Sequence, residues 1–320
     1  MSCTIEILRS GIATSFQDKG REHVQYLGIV ESGAADLDNY NLCNSILQNN
    51  NNETTIEFAY QGPKFLVKNN KCKIVVTGLV NFTITRNNHS VIQGDCYKTY
   101  LLEAGDVVDI ISVVNSVYGY LGFEGGIAVK KYFASTSTNS KSGIGQNEGR
   151  KIKNKDQFLL NISVPTNKHY KLEQIPQKNS NKKIRVLEGP QLDYFSNQGI
   201  DHFFHSEFLI SNTTDKMGMR LVGKKIEHVK SANIKSEGIV KGSIQVPADG
   251  QPIVLLTDHQ TIGGYPKIAV VISADYNNLI QKPAGSHIVF KKVNLREAEI
   301  SFQLKQASLK AMIESIIKIN

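Results

Sequence analysis

The 320-residue sequence predicts a mainly β protein with few helices, and three observations carry that expectation. Short β-branched or alternating apolar runs recur, each closed by Gly, Asn or Asp: KCKIVVTG, NFTITRNN, DVVDIISVV, IRVLEGP, QPIVLLTD and KIAVVISAD. Such spacing marks antiparallel strands in sandwiches or barrels. Only two stretches carry helical periodicity. The length exceeds what one hydrophobic core usually organises, so two domains of roughly 150 residues are expected.

Taken in order, residues 14–21 (TSFQDKGR) place a strand end near Gln17, followed by a glycine turn. The first helix is expected over 35–47, where Leu37, Tyr40, Asn44 and Leu47 share a face. Ser32 or Asp36 caps it, and the asparagines at 49–52 break it. The stretch 166–183 is polar, basic and poor in β-branched residues, which marks a linker. The domains are therefore expected to be 1–178 and 179–320. A second helix is expected from an Asn294 cap to the C-terminus, its apolar positions Phe302, Ala307, Leu309, Met312, Ile313 and Ile316 packing on a barrel or a partner.

Several functional classes are disfavoured. No apolar run approaches the roughly 18 residues of a membrane span. The N-terminus, MSCTIEILRSGIATSFQDKGR, carries charges and a glycine where a secretory signal needs an apolar stretch, so a cytoplasmic location is expected. Lys and Arg exceed Asp and Glu by 37 − 29 = 8. The lysines are spread and lack the aromatic interleaving that stacks bases, so no nucleic-acid partner is expected. Cys3, Cys43, Cys72 and Cys96 form no Cys-x-x-Cys pair and read as free, mostly buried thiols. Only His202 and His205 have metal-like spacing, and an isolated pair does not make a zinc site, so no metal is expected.

Two polar sets remain. In TSFQDKGR, Gln17, Asp18 and Arg21 surround a glycine turn, and an Arg fork fits carboxylate or phosphate oxygens. The alternative is a braced turn with a surface Arg. Asp36 either joins this set or caps the helix. The second set lies in residues 236–275, SEGIVKGSIQVPADGQPIVLLTDHQTIGGYPKIAVVISAD, where Glu237, Gln245, Gln251, Asp258, His259, Gln260, Thr261 and Tyr265 stand among glycines and prolines that fix turns. Asp18, Arg21 and Asp258 are the catalytic candidates; Gln17, Asp36, Glu237, Gln245, Gln260, Thr261 and Tyr265 are the substrate-binding candidates. Both sets are expected to line one polar groove. Residues 218–225 satisfy G-x-x-x-x-G-K, but Lys225 stands where a phosphate loop needs Ser or Thr for Mg²⁺, so no phosphate loop is expected.

The series TSFQDKGR, YLGIVESGAADLDNYNLCN, IEFAYQGP, YGYLGFEGGI and GIGQNEGR resembles the first part of the biotin-dependent carboxyltransferase-like family. That family includes the C subunit of 5-oxoprolinase, the kinase-inhibitor antagonist and the second region of urea carboxylase. RVLEGPQ, DKMGMRLVG, the block from Ser236 and QKPAGSHIVF resemble the rest, so the similarity runs roughly from Ile5 to Ala298. The resemblance implies two β-barrel-like subdomains, the C-terminal one cyclophilin-like. It further implies A and B partner subunits and ATP-consuming conversion of 5-oxo-L-proline to L-glutamate. The ATP is consumed by the assembly rather than held by a phosphate loop in this chain. A urea or amide carboxyltransferase component, or a regulator acting on a kinase through a B-like partner, are the alternatives. The chain departs from the family pattern at Ala134 and Thr136, where the family has Gly and Arg, at Lys155 in place of Gly, and at Lys216 in place of Arg.

Overall fold

In the computed structural model, residues 2–162, 164–176 and 182–319 are described. They fold into two compact units: residues 1–21, 32–176 and 309–320 in the first, and 22–31 with 177–308 in the second. The expected boundary between 178 and 179 lies outside the described residues. The units are discontinuous in sequence, which a boundary placed in a single linker does not capture.

The first unit packs two antiparallel sheets over one core. Six strands form one sheet, in the order Gln157–Leu159, Thr4–Arg9, Lys64–Val67, Val107–Val113, Val80–Thr85 and Val91–Gln93. Five form the other: Ser15–Gln17, Thr55–Ala59, Tyr118–Phe123, Cys72–Thr77 and Thr99–Leu102. Period-two alternation aims Val80, Phe82 and Ile84 inward from one strand and Val108 and Ile110 from its neighbour. Rings join the sheets edge to face, Phe65 with Phe123 at 5.8 Å and Phe16 with Phe158 at 5.5 Å.

Strand Cys72–Thr77 is buried on both faces because helix α1 (Leu37–Ile46) covers its outer side. Contact is close: a Cβ on Gly122 would stand 2.5 Å from Cys43 Sγ and 2.7 Å from Leu47 Cδ1. Asp36 is the N-cap of α1, its Oδ1 accepting the Asp38 and Asn39 N–H groups. Cys3, Cys43 and Cys72 are buried free thiols, whereas Cys96 is half-buried.

The second unit is a closed seven-stranded barrel, in the order Lys183–Glu188, Lys267–Val271, Ser243–Gln245, Ile253–Leu255, Gly218–Val222, Phe208–Ile210 and His287–Lys292. Parallel pairing of Lys183–Glu188 with His287–Lys292 closes it. Helix α2 (Asn197–His205) stacks Phe203 on Phe290 at 4.6 Å. Helix α3 (Ser273–Ile280) supplies Asp275, whose carboxylate takes Arg185 Nη2 at 2.6 Å and Nε at 3.0 Å. Neither helix is expected from the sequence: α2 is short, and α3 begins within the apolar run KIAVVISAD.

Two further expectations are corrected. The stretch 166–183 is not wholly linker, because His169–Leu172 forms a strand. The C-terminal helix does not reach the end: α4 (Leu295–Glu314) stops, and Ile316–Ile319 becomes a strand antiparallel to His169–Leu172. Its β-branched isoleucines favour extended backbone once a partner strand is available. Asn294 caps α4 reciprocally with Glu297, as the sequence suggests.

Candidate functional site

In the first unit, strand Ser15–Gln17 delivers the chain to a turn at Asp18–Arg21. Asp18 is fully buried, and its carboxylate is saturated. Oδ1 accepts from Ser135 Oγ at 2.6 Å, Ser137 Oγ at 2.5 Å and Gly20 N–H at 2.9 Å, and Oδ2 accepts from Thr136 N–H at 2.8 Å. Arg21, 2% exposed, donates to the Tyr132 carbonyl at 3.3 Å and to the Ser137 carbonyl. Asp18 and Arg21 thus both bind one segment, 132–137. A carboxylate so enclosed positions its neighbours. Gly33, at φ 95°, lets the following segment approach, since a Cβ there would meet the Lys19 carbonyl oxygen at 2.6 Å. Ala34 N–H then reaches the Asp18 carbonyl at 2.8 Å.

Gln17 lies beside this clamp with 1% exposure. Its Nε2 donates to Ser15 Oγ at 2.9 Å and to the Thr138 carbonyl at 3.0 Å, while its Oε1 and the Thr138 hydroxyl have no partner among the described residues. Unpaired buried acceptors are costly, about 1–3 kcal/mol each, and mark places where a further polar group would be stabilised. Asp36 is accounted for as a helix cap, and Tyr120 Oη bridges its N–H to buried Glu57.

The departures from the family pattern have structural counterparts. Ala134 (φ 62°) and Lys155 (φ 69°) hold the left-handed backbone that favours glycine. Thr136 holds its hydroxyl 2.8 Å from that of Thr54, so a buried neutral residue stands where the resemblance implies Arg. Lys216 accepts the Asp258 N–H on its carbonyl at 2.8 Å.

In the second unit, Gln245 is 2% exposed on a barrel strand, and its Nε2 has no partner among the described residues. A Cβ on Gly263 would stand 2.5 Å from that nitrogen, so glycine keeps the space beside it open. Strand Ile262–Gly263 pairs with Glu237–Gly238 at this point. Glu237 is exposed, but it neutralises buried Lys267 and accepts from Gln191 Nε2 at 2.9 Å. The Lys267 ammonium holds the Glu237 carboxyl below its ordinary value. Asp258 and Thr261 are half-buried, whereas Gln260 and Tyr265 are exposed. The structure thus keeps Glu237, Gln245, Asp258, Gln260, Thr261 and Tyr265 in this unit and Gln17, Asp18, Arg21 and Asp36 in the other.

Sequence reading misses several contributors. Ser135, Thr136 and Ser137 reach Asp18 across more than a hundred residues, a pairing with no local signal. Lys241 sits inside the block 236–275, where nothing local sets it apart, and His259 belongs to that block's polar set without standing among its site candidates. Conversely, residues 218–225 begin as the barrel strand Gly218–Val222, which is not the strand-loop-helix geometry of a phosphate loop. No group of three metal-ligating side chains occurs among the described residues, and no helix there is long and apolar enough to cross a membrane.

The sequence matches the family model described as carboxyltransferase domain, subdomain A and B, over residues 27–292. The chain belongs to this family. Its relatives include the C subunit of 5-oxoprolinase from Escherichia coli (strain K12), 31% identical over 92% of this chain and 93% of that protein. Urea amidolyase of Saccharomyces cerevisiae is 28% identical over 96% of this chain but only 18% of that protein. Among solved structures, the K. lactis urea amidolyase superposes with a TM-score of 0.86 at 26% identity, over 97% of this chain and 20% of that one. The mainly β architecture is therefore that of the family, and the two units are its carboxyltransferase-like scaffold.

Proposed function

We propose that this chain is the C-type subunit of an ATP-dependent 5-oxoprolinase, which opens 5-oxo-L-proline to L-glutamate together with A- and B-type subunits in the cytoplasm. The observation that carries this reading is the near end-to-end match with the 5-oxoprolinase C subunit, 92% of this chain against 93% of that protein. The lactam carbonyl belongs to a resonance-stabilised amide, and transfer of phosphate from ATP supplies a better leaving group. The ATP is held with the help of partner subunits, which agrees with the strand at Gly218–Val222.

A buried glutamine of the barrel unit supports an amide-type substrate. A lactam presents one N–H donor and one carbonyl acceptor, and Gln245 Nε2 lacks an acceptor among the described residues. Urea offers the same groups, and its carboxylation is the second reading, favoured by the urea amidolyase relatives and the superposition at 0.86. That reaction needs a biotin carrier, and this sequence has no Met-Lys-Met acceptor.

The test is reconstitution. Mixed with A- and B-type partners, the chain should support formation of glutamate and ADP from 5-oxoproline. Biotin-dependent carboxylation of urea, with no 5-oxoproline turnover, would establish the second reading instead.

A further inference from the structure

A cleft of about 520 Å³ opens in the first unit along Thr99–Leu102, the end strand of the five-stranded sheet, and it shares no residue with either polar set. Its floor is the run 98–101. Its walls come from the turn at 86–88, from Glu103 and Asp106, and from His169 and Ile319 of the last strand pair.

Two side chains mark its ends. Arg86 Nη1 donates to the Leu101 carbonyl at 2.8 Å and to Asp106 Oδ2 at 2.7 Å. Asp106 is 1% exposed and also accepts the Asn87 N–H at 2.9 Å and the Glu103 N–H at 3.0 Å, so it fixes the guanidinium and has no capacity left for a ligand. Arg86 Nε and Nη2 have no partner among the described residues, and with the side chain 26% exposed this edge of the fork is open to the cleft. At the other end, the Thr99 hydroxyl donates to the Tyr170 carbonyl at 3.2 Å and accepts the Tyr170 N–H at 2.9 Å. His169 Nδ1 lies 3.4 Å from that oxygen, whose hydrogen is committed, so Nδ1 carries a hydrogen and Nε2 remains for a ligand. Thr99 and Leu101 are two residues apart on one strand, so the atoms that hold His169 and Arg86 lie about 7 Å apart along it.

The Lys98 ammonium stands 5.3 Å from the centre of the Tyr100 ring and gives one of its three donors to Asp95 at 3.2 Å. Tyr100 Oη accepts the Asp95 N–H at 2.8 Å, which holds the ring in place. Glu103, the other carboxylate of the cleft, is paired with Lys71 at 2.5 Å. The acidic groups are thus occupied, whereas the Arg86 edge and two Lys98 donors are not.

We propose that this cleft binds a small two-ended organic anion. Its carboxylate or phosphate lies on the open edge of Arg86 with Lys98 as a second donor, and a hydroxyl about 7 Å away meets His169 Nε2. Its carbon frame rests on Leu101 and Ile319. An Arg fork accepts either oxyanion side-on, and clefts of this size enclose small ligands. Asp106 already balances the Arg86 charge, so the spacing of the two ends, rather than net charge, selects the ligand. No part of this site uses the lactam reading.

The experiment is NMR of the full chain with labelled arginine and histidine. The two-ended probes are glycerol 3-phosphate and 5-hydroxypentanoate, and inorganic phosphate and acetate are their single-ended controls. At least one two-ended probe should shift the Arg86 Nε–H and His169 ring resonances together and bind about tenfold more tightly than its control. Which of the two does so decides between phosphate and carboxylate. Arg86 is left intact because it braces Asp106. Lys98→Met should weaken the successful probe about tenfold at an unchanged melting temperature. His169→Asn keeps a donor for Thr99 but removes Nε2, and it should erase the advantage of the probe over its control. The proposal is overturned if neither two-ended probe moves both resonances, if neither binds more tightly than its control, or if Lys98→Met keeps full affinity.

Discussion

Asp18 shows how one side chain can be read in two ways. Four donors on a fully buried carboxylate make it a brace, and Asp18→Asn would set an NH₂ or a weaker acceptor against the seryl hydroxyls. Loss of charged hydrogen bonds of this kind costs about 1.5–3 kcal/mol. Denaturant unfolding should therefore detect early melting, whereas unchanged stability with abolished turnover would return Asp18 to the chemistry. Backbone conformation gives the opposite sign at Ala134 and Lys155. A left-handed residue with a Cβ is strained by about 1–2 kcal/mol, and glycine relieves this at an entropic cost of about 0.5–1 kcal/mol. Ala134→Gly and Lys155→Gly should each stabilise the chain by up to about 1 kcal/mol in the same assay. At His259 burial holds the folded pKa below the unfolded one, so the unfolded chain binds the proton first as pH falls. Stability from this group is full above the unfolded value of about 6.5 and is lost as pH falls towards the folded value. His259→Asn should flatten that part of the stability–pH curve.

At the scale of elements, the last strand is the least anticipated feature. Ile316–Ile319 pairs with His169–Leu172, and Leu309, Met312 and Ile316 pack against the cluster of Tyr40, Leu42 and Leu172 under helix α1. Ile317→Pro removes a backbone N–H and resists pairing. It should destabilise the first unit by about 1–3 kcal/mol and abolish hydrogen-exchange protection across residues 169–172. Protection that survives would mean the strand pair contributes nothing to that unit. Helix α1 is anchored differently, by the Asp36 cap and by the absence of a side chain at Gly122.

For the whole molecule, the reading as one member of an assembly predicts that the purified chain does not open 5-oxoproline until A- and B-type partners are added, and turnover by the chain alone would contradict it. Lys224→Ala should leave assembled activity within a few-fold, because its segment follows a barrel strand rather than forming a phosphate loop.

The sequence by itself determined the strand-rich class, the first helix, the Asn294 cap and the family, because periodicity, capping and turn chemistry are local and the family motifs are contiguous, and it left the first helix's cap open between Ser32 and Asp36. It also brought Gln17, Asp18, Gln245 and Asp258 forward as polar residues on shaped turns. Only the tertiary structure decided what those residues do. Asp18 is saturated by a segment more than a hundred residues away, Glu237 neutralises Lys267, and Gln17 and Gln245 each keep one buried atom unpaired. Helix α3 and the final strand were likewise hidden, since KIAVVISAD and ESIIKI carry β-branched residues that either conformation accepts until neighbours choose. Hydrogen-bond satisfaction and burial depend on contacts across long loops, and those contacts have no period in the sequence for a local rule to detect.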